Sequence, residues 1–332
     1  MTIWQKFQIQ GNQMRVTNQQ IRQVCKMKAE GKTHRVIGRA VGISASTVHS
    51  ILVKYYYNNK ANKAHKSKEP RVLLFDIETA PAISYHWGRW KVNVGVSQVI
   101  QRPYVITWAA KWLGSPTIYS DSLPFYELFA KDEKDDFNIV KSLWKMLDEA
   151  DIVIAHYGKK FDIPQMNARF VKHGLPQPSP YRVIDTKEMA SKFFKFEANS
   201  LAELADFLEV DSGNKNKTDF DTWRDCVEGK GSPEAWDTML TYNEQDVYVL
   251  EDVYLKLRPY ANNHPNVSLF YEGDDMRCTV CGSKSLTELP GNAYTNVSKF
   301  KSYRCKCGHV QRGRKNLRSK DQMKATLANA LV

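Results

Sequence analysis

Arg71-Val-Leu-Leu-Phe-Asp-Ile-Glu-Thr79 reads as a β-strand that carries two acids at its end. Side chains at i and i+2 of an extended chain point the same way, so Leu74, Asp76 and Glu78 share one face and Leu73, Phe75 and Ile77 the other. Carboxylates within or beside an apolar run are costly to desolvate unless a cation offsets them. Two of them side by side repel each other, and a divalent metal relieves that repulsion. The surrounding sequence favours a metal over Lys or Arg, because it is itself acid-rich. Magnesium suits such a pair because it prefers carboxylate oxygens and shares its shell with phosphate.

Outward from this strand, regular structure alternates. Residues 104–112 and 117–120 read as strands, 134–150 as an amphipathic helix, 151–156 as a strand and 164–173 as a helix ended by Gly174. A strand at 181–185, a helix at 201–208 and a long helix at 232–257 follow. Three leading strands and then helix–strand alternation predict an α/β domain, a mixed sheet flanked by helices. Two more acids fall at telling places. Asp162 ends Ile154-Ala-His-Tyr-Gly-Lys-Lys-Phe-Asp162, at a strand-to-helix loop, and Asp246 closes Tyr242-Asn-Glu-Gln-Asp246. Tyr242 and Asp246 are four residues apart, on one helix face. Taken singly, Asp162 could cap a helix and Asp246 could be a surface acid.

Asp76-x-Glu78, Phe161-Asp162 with its leading His156, and Tyr242-x-x-x-Asp246 together resemble the three motifs of the DEDDy 3′–5′ exonucleases, in order, across residues 71–259. That group includes the proofreading domains of DNA polymerases. The resemblance implies an RNase H-like fold and phosphodiester hydrolysis with two Mg2+ or Mn2+ ions. It implies that Asp76 serves both ions, Glu78 and Asp246 the ion that activates water, and Asp162 the ion at the leaving oxygen. Tyr242 would orient the attacking water. The family commonly has Asn shortly before Phe-Asp, where this chain has Tyr157. Asp185-Thr186 lies at another strand end, where family members often have an acid; here it reads as a structural cap. Lys159 and Lys160 are candidate phosphate contacts, while His86 and His173 show no ligand-like pairing.

The formal charge of +12 is unevenly spread. Residues 1–68 hold 13 Lys/Arg against one acid, and 276–332 hold 12 against two. Residues 69–275 hold 33 acids against 23 bases. Basic ends suit a polyanion, and an acidic centre would repel one unless metal ions intervene.

The N-terminal end reads as three short helices. The first spans 17–29, the second is capped by Thr33, and the third spans 44–52 after a turn at Gly42. The stretch Ile37-Gly-Arg-Ala-Val-Gly-Ile-Ser-Ala-Ser-Thr-Val48 resembles the helix-turn-helix of recombinases and transposases. This implies that Ser44, Ser46, Thr47 and His49 are exposed and face duplex DNA. A helical hairpin for protein contact is the alternative.

At the other end, Cys278-Thr-Val-Cys281-Gly and Cys305-Lys-Cys307-Gly form close pairs. In a cytosolic protein they point to one structural Zn2+ rather than to disulfides. The arrangement resembles a zinc ribbon, with His309 as an alternative to Cys307. Lys306 and Arg312, interleaved with Phe300 and Tyr303, suit nucleic-acid contact. Cys25 and Cys226 read as buried apolar residues.

The expected organisation is a helix-turn-helix at 1–57, a basic linker at 58–69 and the exonuclease domain at 70–262. A linker at 263–275, a zinc ribbon at 276–313 and a basic tail at 314–332 complete it. The expected partners are single-stranded DNA 3′ ends, duplex DNA through the helix-turn-helix, and RNA as a further candidate. No run is long and apolar enough for a membrane span and no signal peptide is apparent, so the expected compartment is cytoplasmic. Two other functions fit part of the pattern: a transposase- or resolvase-like endonuclease, and a non-catalytic DNA-binding regulator.

Overall fold

The computed structural model describes residues 16–30, 32–52, 69–88, 90–210 and 219–328. The chain divides into two units, 1–64 and 65–332. The expected linker at 58–69 lies, apart from Glu69, outside the described residues.

The first unit holds helices α1 (Asn18–Ala29), α2 (His34–Val41) and α3 (Ala45–Ile51). Hydroxyls cap all three: Thr17 accepts from Gln20 N, Thr33 from Val36 N and Ser44 from Thr47 N. Val24, Ile37, Val48, Ile51 and Leu52 form the small core. The expected exposure of His49 is corrected. It is buried, its ring edge-on to that of buried His34 at 5.8 Å. It falls on the helix face that also buries Val48 and Ile51. Burial, then the nearby Lys28, pushes the His34 imidazole well below its ordinary range.

The second unit is built on a five-stranded mixed sheet in the order β5-β4-β1-β6-β7. Its strands are β1 (Val72–Thr79), β4 (Val105–Trp112), β5 (Ile118–Ser122), β6 (Ile152–Ala155) and β7 (Arg182–Asp185). β2 (Ile83–Ser84) and β3 (Val99–Gln101) form a separate hairpin between β1 and β4. β4 runs antiparallel to β1 and to β5, while β6 runs parallel to β1 and to β7. This is the predicted mixed sheet, with helices on both faces. Helix α4 (Phe137–Asp148) covers the face of Ile77, where Trp108 Nε1 donates to Ile139 O at 3.0 Å.

Then come α5 (Asp162–Lys172), α6 (Thr186–Phe193), α7 (Leu201–Phe207), α8 (Phe220–Val227) and α9 (Pro233–Leu257). Helix α9 packs across the other face, where Val247, Leu250, Val253 and Leu257 meet Leu74, Ile152 and Ile154. Two buried polar contacts fix its position, Glu251 with Lys111 and Glu244 with Ser120.

Helix α4 begins at Phe137 rather than near 134. The buried Asp136 carboxylate is engaged elsewhere, accepting from Val105 N (3.0 Å), His173 Nε2 (2.6 Å) and Arg169. His173 is thus a structural partner. Helices α6 and α8, the β2–β3 hairpin and the short α10 (Lys320–Lys324) were not anticipated.

The cysteine segment lies in this same unit as a three-stranded antiparallel sheet of β8 (Leu286–Tyr294), β9 (Lys299–Cys305) and β10 (Val310–Arg312). It is joined to the segment that follows the long helix by Val267 N donating to Thr279 O (2.7 Å) and by His309 Nδ1 against Pro259 O (2.8 Å). Among the described residues, no helix is long and apolar enough to cross a membrane.

Candidate active site

β1 and α9 bring three carboxylates together. Asp76 and Glu78 project from the face of β1 that α9 covers, and Asp246 faces them from that helix. One oxygen from each lies within 4.8 Å of the other two. Neutral donors position two of them. Asn243 Nδ2 donates to Asp76 Oδ2 at 2.6 Å, and Trp223 Nε1 of α8 donates to Glu78 Oε2 at 3.2 Å. Amide and indole N–H groups orient carboxylates while leaving their charge for a cation. An all-oxygen donor set of this kind fits hard divalent ions such as magnesium or manganese.

Tyr242 stands one turn before Asp246, its ring 5.7 Å from that of Trp223 in an edge-on contact. Burial, followed by the charges of Asp246 and Glu78, pushes its phenol far above the ordinary range. Tyr242 therefore holds its proton at neutral pH and has an O–H to donate to an acid or a water.

Asp162 lies beside this group without belonging to the tight trio. Sequence spacing set it in a loop before a helix at 164; it is instead the first residue of α5, and Pro164 fits within the first turn. Its buried Oδ1 accepts from Ile77 N at 3.3 Å, the backbone group between Asp76 and Glu78. Burial raises its carboxyl to about 7, with Asp185 adding to the rise and backbone donors opposing it.

The loop leading to Asp162 is tightly held. A Cβ on Gly158 would stand 2.4 Å from Ala155 Cβ, so only glycine lets the chain turn this close to the end of β6. Asp185 accepts from Tyr157 N (3.1 Å) and Lys159 N (3.2 Å) as well as capping α6 through Lys187 N and Glu188 N. The expected cap is therefore also the brace of the Asp162 loop. Tyr157 has φ 66°, a left-handed conformation that Asn adopts more readily than Tyr. Lys187 Nζ sits 4.4 Å from its ring centre. His156 spans Thr186 Oγ1 (2.9 Å) and Asn199 O (3.0 Å). Lys160 is exposed, and Lys159 is paired with Glu188.

The four cysteines converge separately. Cys278 and Cys307 sulfurs are 3.8 Å apart, those of Cys281 and Cys305 3.5 Å, and all four lie within 4.8 Å. A tetrahedron with Zn–S bonds of about 2.3 Å has edges of roughly 3.8 Å, so the geometry fits zinc. Gly282 (φ 72°) and Gly308 (φ 92°) make matching left-handed turns, each N–H returning to the carbonyl of Cys278 or Cys305 at 2.9 Å. The cluster forms from the four sulfurs without His309, whose Nδ1 lies against Pro259 O. Lys306 and Arg312 are exposed, but Phe300 is buried beneath Arg312 and offers no stacking face. Cys226 is buried and Cys25 half-buried.

Sequence reasoning missed Asn243 and Trp223. Asn243 had a signal, since it lies three residues before Asp246 and shares its helix face. Trp223 had none, because it reaches Glu78 across 145 residues of chain.

Residues 112–258 match the family model of the RNase_H superfamily, in keeping with the mixed α/β fold. The matched stretch covers less than half of the chain; it includes Asp162, Tyr242 and Asp246 and begins after Asp76 and Glu78. Among solved structures, the family B DNA polymerase from the hyperthermophilic archaeon Pyrobaculum calidifontis aligns at 16% identity with a TM-score of 0.43. That alignment covers 57% of this chain and 25% of the polymerase chain. No curated protein matches the sequence.

Proposed function

We propose that this chain is a metal-dependent 3′–5′ exonuclease that hydrolyses phosphodiester bonds of single-stranded nucleic acid, DNA foremost, releasing nucleoside monophosphates. The observation that carries the reading is the meeting of Asp76, Glu78 and Asp246 oxygens within 4.8 Å on an RNase H-like sheet. Two Mg2+ or Mn2+ ions bound there would supply Lewis-acid polarisation of the phosphate and activation of water. Asp76 would hold both, Glu78 and Asp246 the one on the water side, and Asp162 the one on the leaving-group side.

The remaining residues position and exclude. Trp223 and Asn243 fix the Glu78 and Asp76 carboxylates against rotation. Tyr242, kept protonated by burial and then by its acidic neighbours, orients the attacking water and does not accept its proton. Ser44, Ser46 and Thr47 at the start of α3 would face duplex DNA. Lys306 and Arg312, on a fold held by one zinc ion through Cys278, Cys281, Cys305 and Cys307, would contact the phosphate backbone.

The test uses 5′-labelled DNA and RNA oligomers with magnesium, manganese or chelator, resolved over time on a denaturing gel. The expected result is stepwise shortening from the 3′ end with either ion and none with chelator. Asp76→Asn should lower the rate by more than about a hundredfold. Internal cuts in a circular single strand would instead indicate an endonuclease. Retarded binding without cleavage under any ion would indicate a non-catalytic DNA-binding protein.

A further inference from the structure

The β2–β3 hairpin leaves the sheet three residues after Glu78 and returns at Tyr104, where Ala80 N closes its base onto Tyr104 O at 2.8 Å. Its stem is well bonded. Tyr85 N donates to Gln98 O (2.9 Å), Gln98 Nε2 to Tyr85 O (3.0 Å), and Gln101 Nε2 to Pro81 O (3.3 Å). Above that stem, large aromatic side chains face solvent. Trp87 is 103% exposed, Trp90 87% and Tyr85 74%. Bare indoles on a braced hairpin have no part in the core and remain to be explained by a ligand.

Charge says which ligand. Residues 81–103 contain three Lys/Arg and no Asp or Glu, inside a stretch (69–275) that carries ten more acids than bases. Apolar protein partners do not call for such a local reversal of sign, whereas a polyanion with flat π-faces does. Stacking on aromatic side chains combined with cationic contacts is how single strands are held without sequence preference. The root of the hairpin also adjoins Glu78, so a strand stacked on it is tethered near the carboxylates.

We propose that the 81–103 hairpin is a base-stacking platform for single-stranded nucleic acid, with Trp87 and Trp90 as its stacking faces. This rests on the nuclease reading for its purpose, but its test does not require cleavage. Dissociation constants of the full chain are measured in chelator for a short oligothymidylate and for an abasic oligomer of equal length and charge. The Trp87→Ala/Trp90→Ala double variant should weaken oligothymidylate binding by roughly fivefold or more and leave abasic binding unchanged. Trp87→Phe/Trp90→Phe should restore most of the loss.

In the unaltered chain, oligothymidylate should protect both indoles from oxidation by N-bromosuccinimide, as read by mass spectrometry. That measurement stands even where the alanine variant fails to fold. Equal binding by variant and parent, an equal loss on the abasic oligomer, or unprotected indoles would each overturn the proposal. So would loss of self-association with unchanged oligomer binding, which would assign the hairpin to a protein contact. Protection without cleavage in magnesium or manganese would sink the nuclease reading and leave the platform standing.

Discussion

Trp223 shows how a single N–H can govern a charged site. Trp223→Phe keeps a smaller aromatic ring beside Tyr242 and deletes the donor to Glu78. Groups that orient metal-binding side chains typically contribute 10- to 100-fold in affinity or activity. The variant should therefore lower kcat about tenfold and raise the magnesium concentration needed for half-maximal rate, with KM for the oligomer little changed. Asn243→Ala should behave alike through Asp76. A rate and metal dependence equal to the parent's would remove both from the site.

Asp162 yields a pH prediction. Its folded carboxyl titrates near 7, above the ordinary range near 4, so the folded metal-free protein holds that proton more tightly than the unfolded chain does. Its contribution to stability is fully present below about pH 4 and is lost as pH rises through 7. Denaturant unfolding in chelator should show stability declining over that window by a few kcal/mol at most, with Asp162→Asn lacking that component. A variant as pH-sensitive as the parent would refute it.

At the scale of elements, the helices are placed by buried polar contacts more than by their own propensity. Asp136 ties the start of β4 to α5 through Val105 N, Arg169 and His173. Removing it strands the Arg169 guanidinium in a nearly closed site, so Asp136→Ala should cost about 3–5 kcal/mol in chemical denaturation. A loss below about 1 kcal/mol would show that water replaces the carboxylate there. The same principle explains why helix ends were the least legible features of the sequence. Asp136 looked like part of a helix and proved to be a bridge, while Asp162 looked like a loop residue and proved to open one. Each boundary depended on partners 30 or more residues away.

On the scale of the whole molecule, the cysteine fold and the sheet are parts of one unit. The module is too small for a core of its own, with Cys278, Val280 and Cys305 as its buried centre, so a zinc ion held by the four cysteines would carry its stability. About one equivalent of zinc should be released by a thiol-reactive mercurial. Hydrogen exchange should then accelerate across 276–313 while β1, β4 and β6 stay protected. A protein free of zinc with a protected 276–313 segment would contradict this. Exchange rising in the central sheet as well would show that the two parts unfold together.

The alternation of strands and helices, the faces of β1, the Thr33 cap of the first unit and the pairing of cysteines were all determined by sequence, because each is set by neighbours within a turn or two of chain. The burial of His49, the burial of Phe300, the commitment of His309 to Pro259 and the approach of Trp223 to Glu78 belong to tertiary structure alone. Local periodicity says which side of an element is apolar, but not which distant group arrives to meet it. That is why the acids on β1 and α9 could be picked out from the chain, while the donors that hold them required the fold.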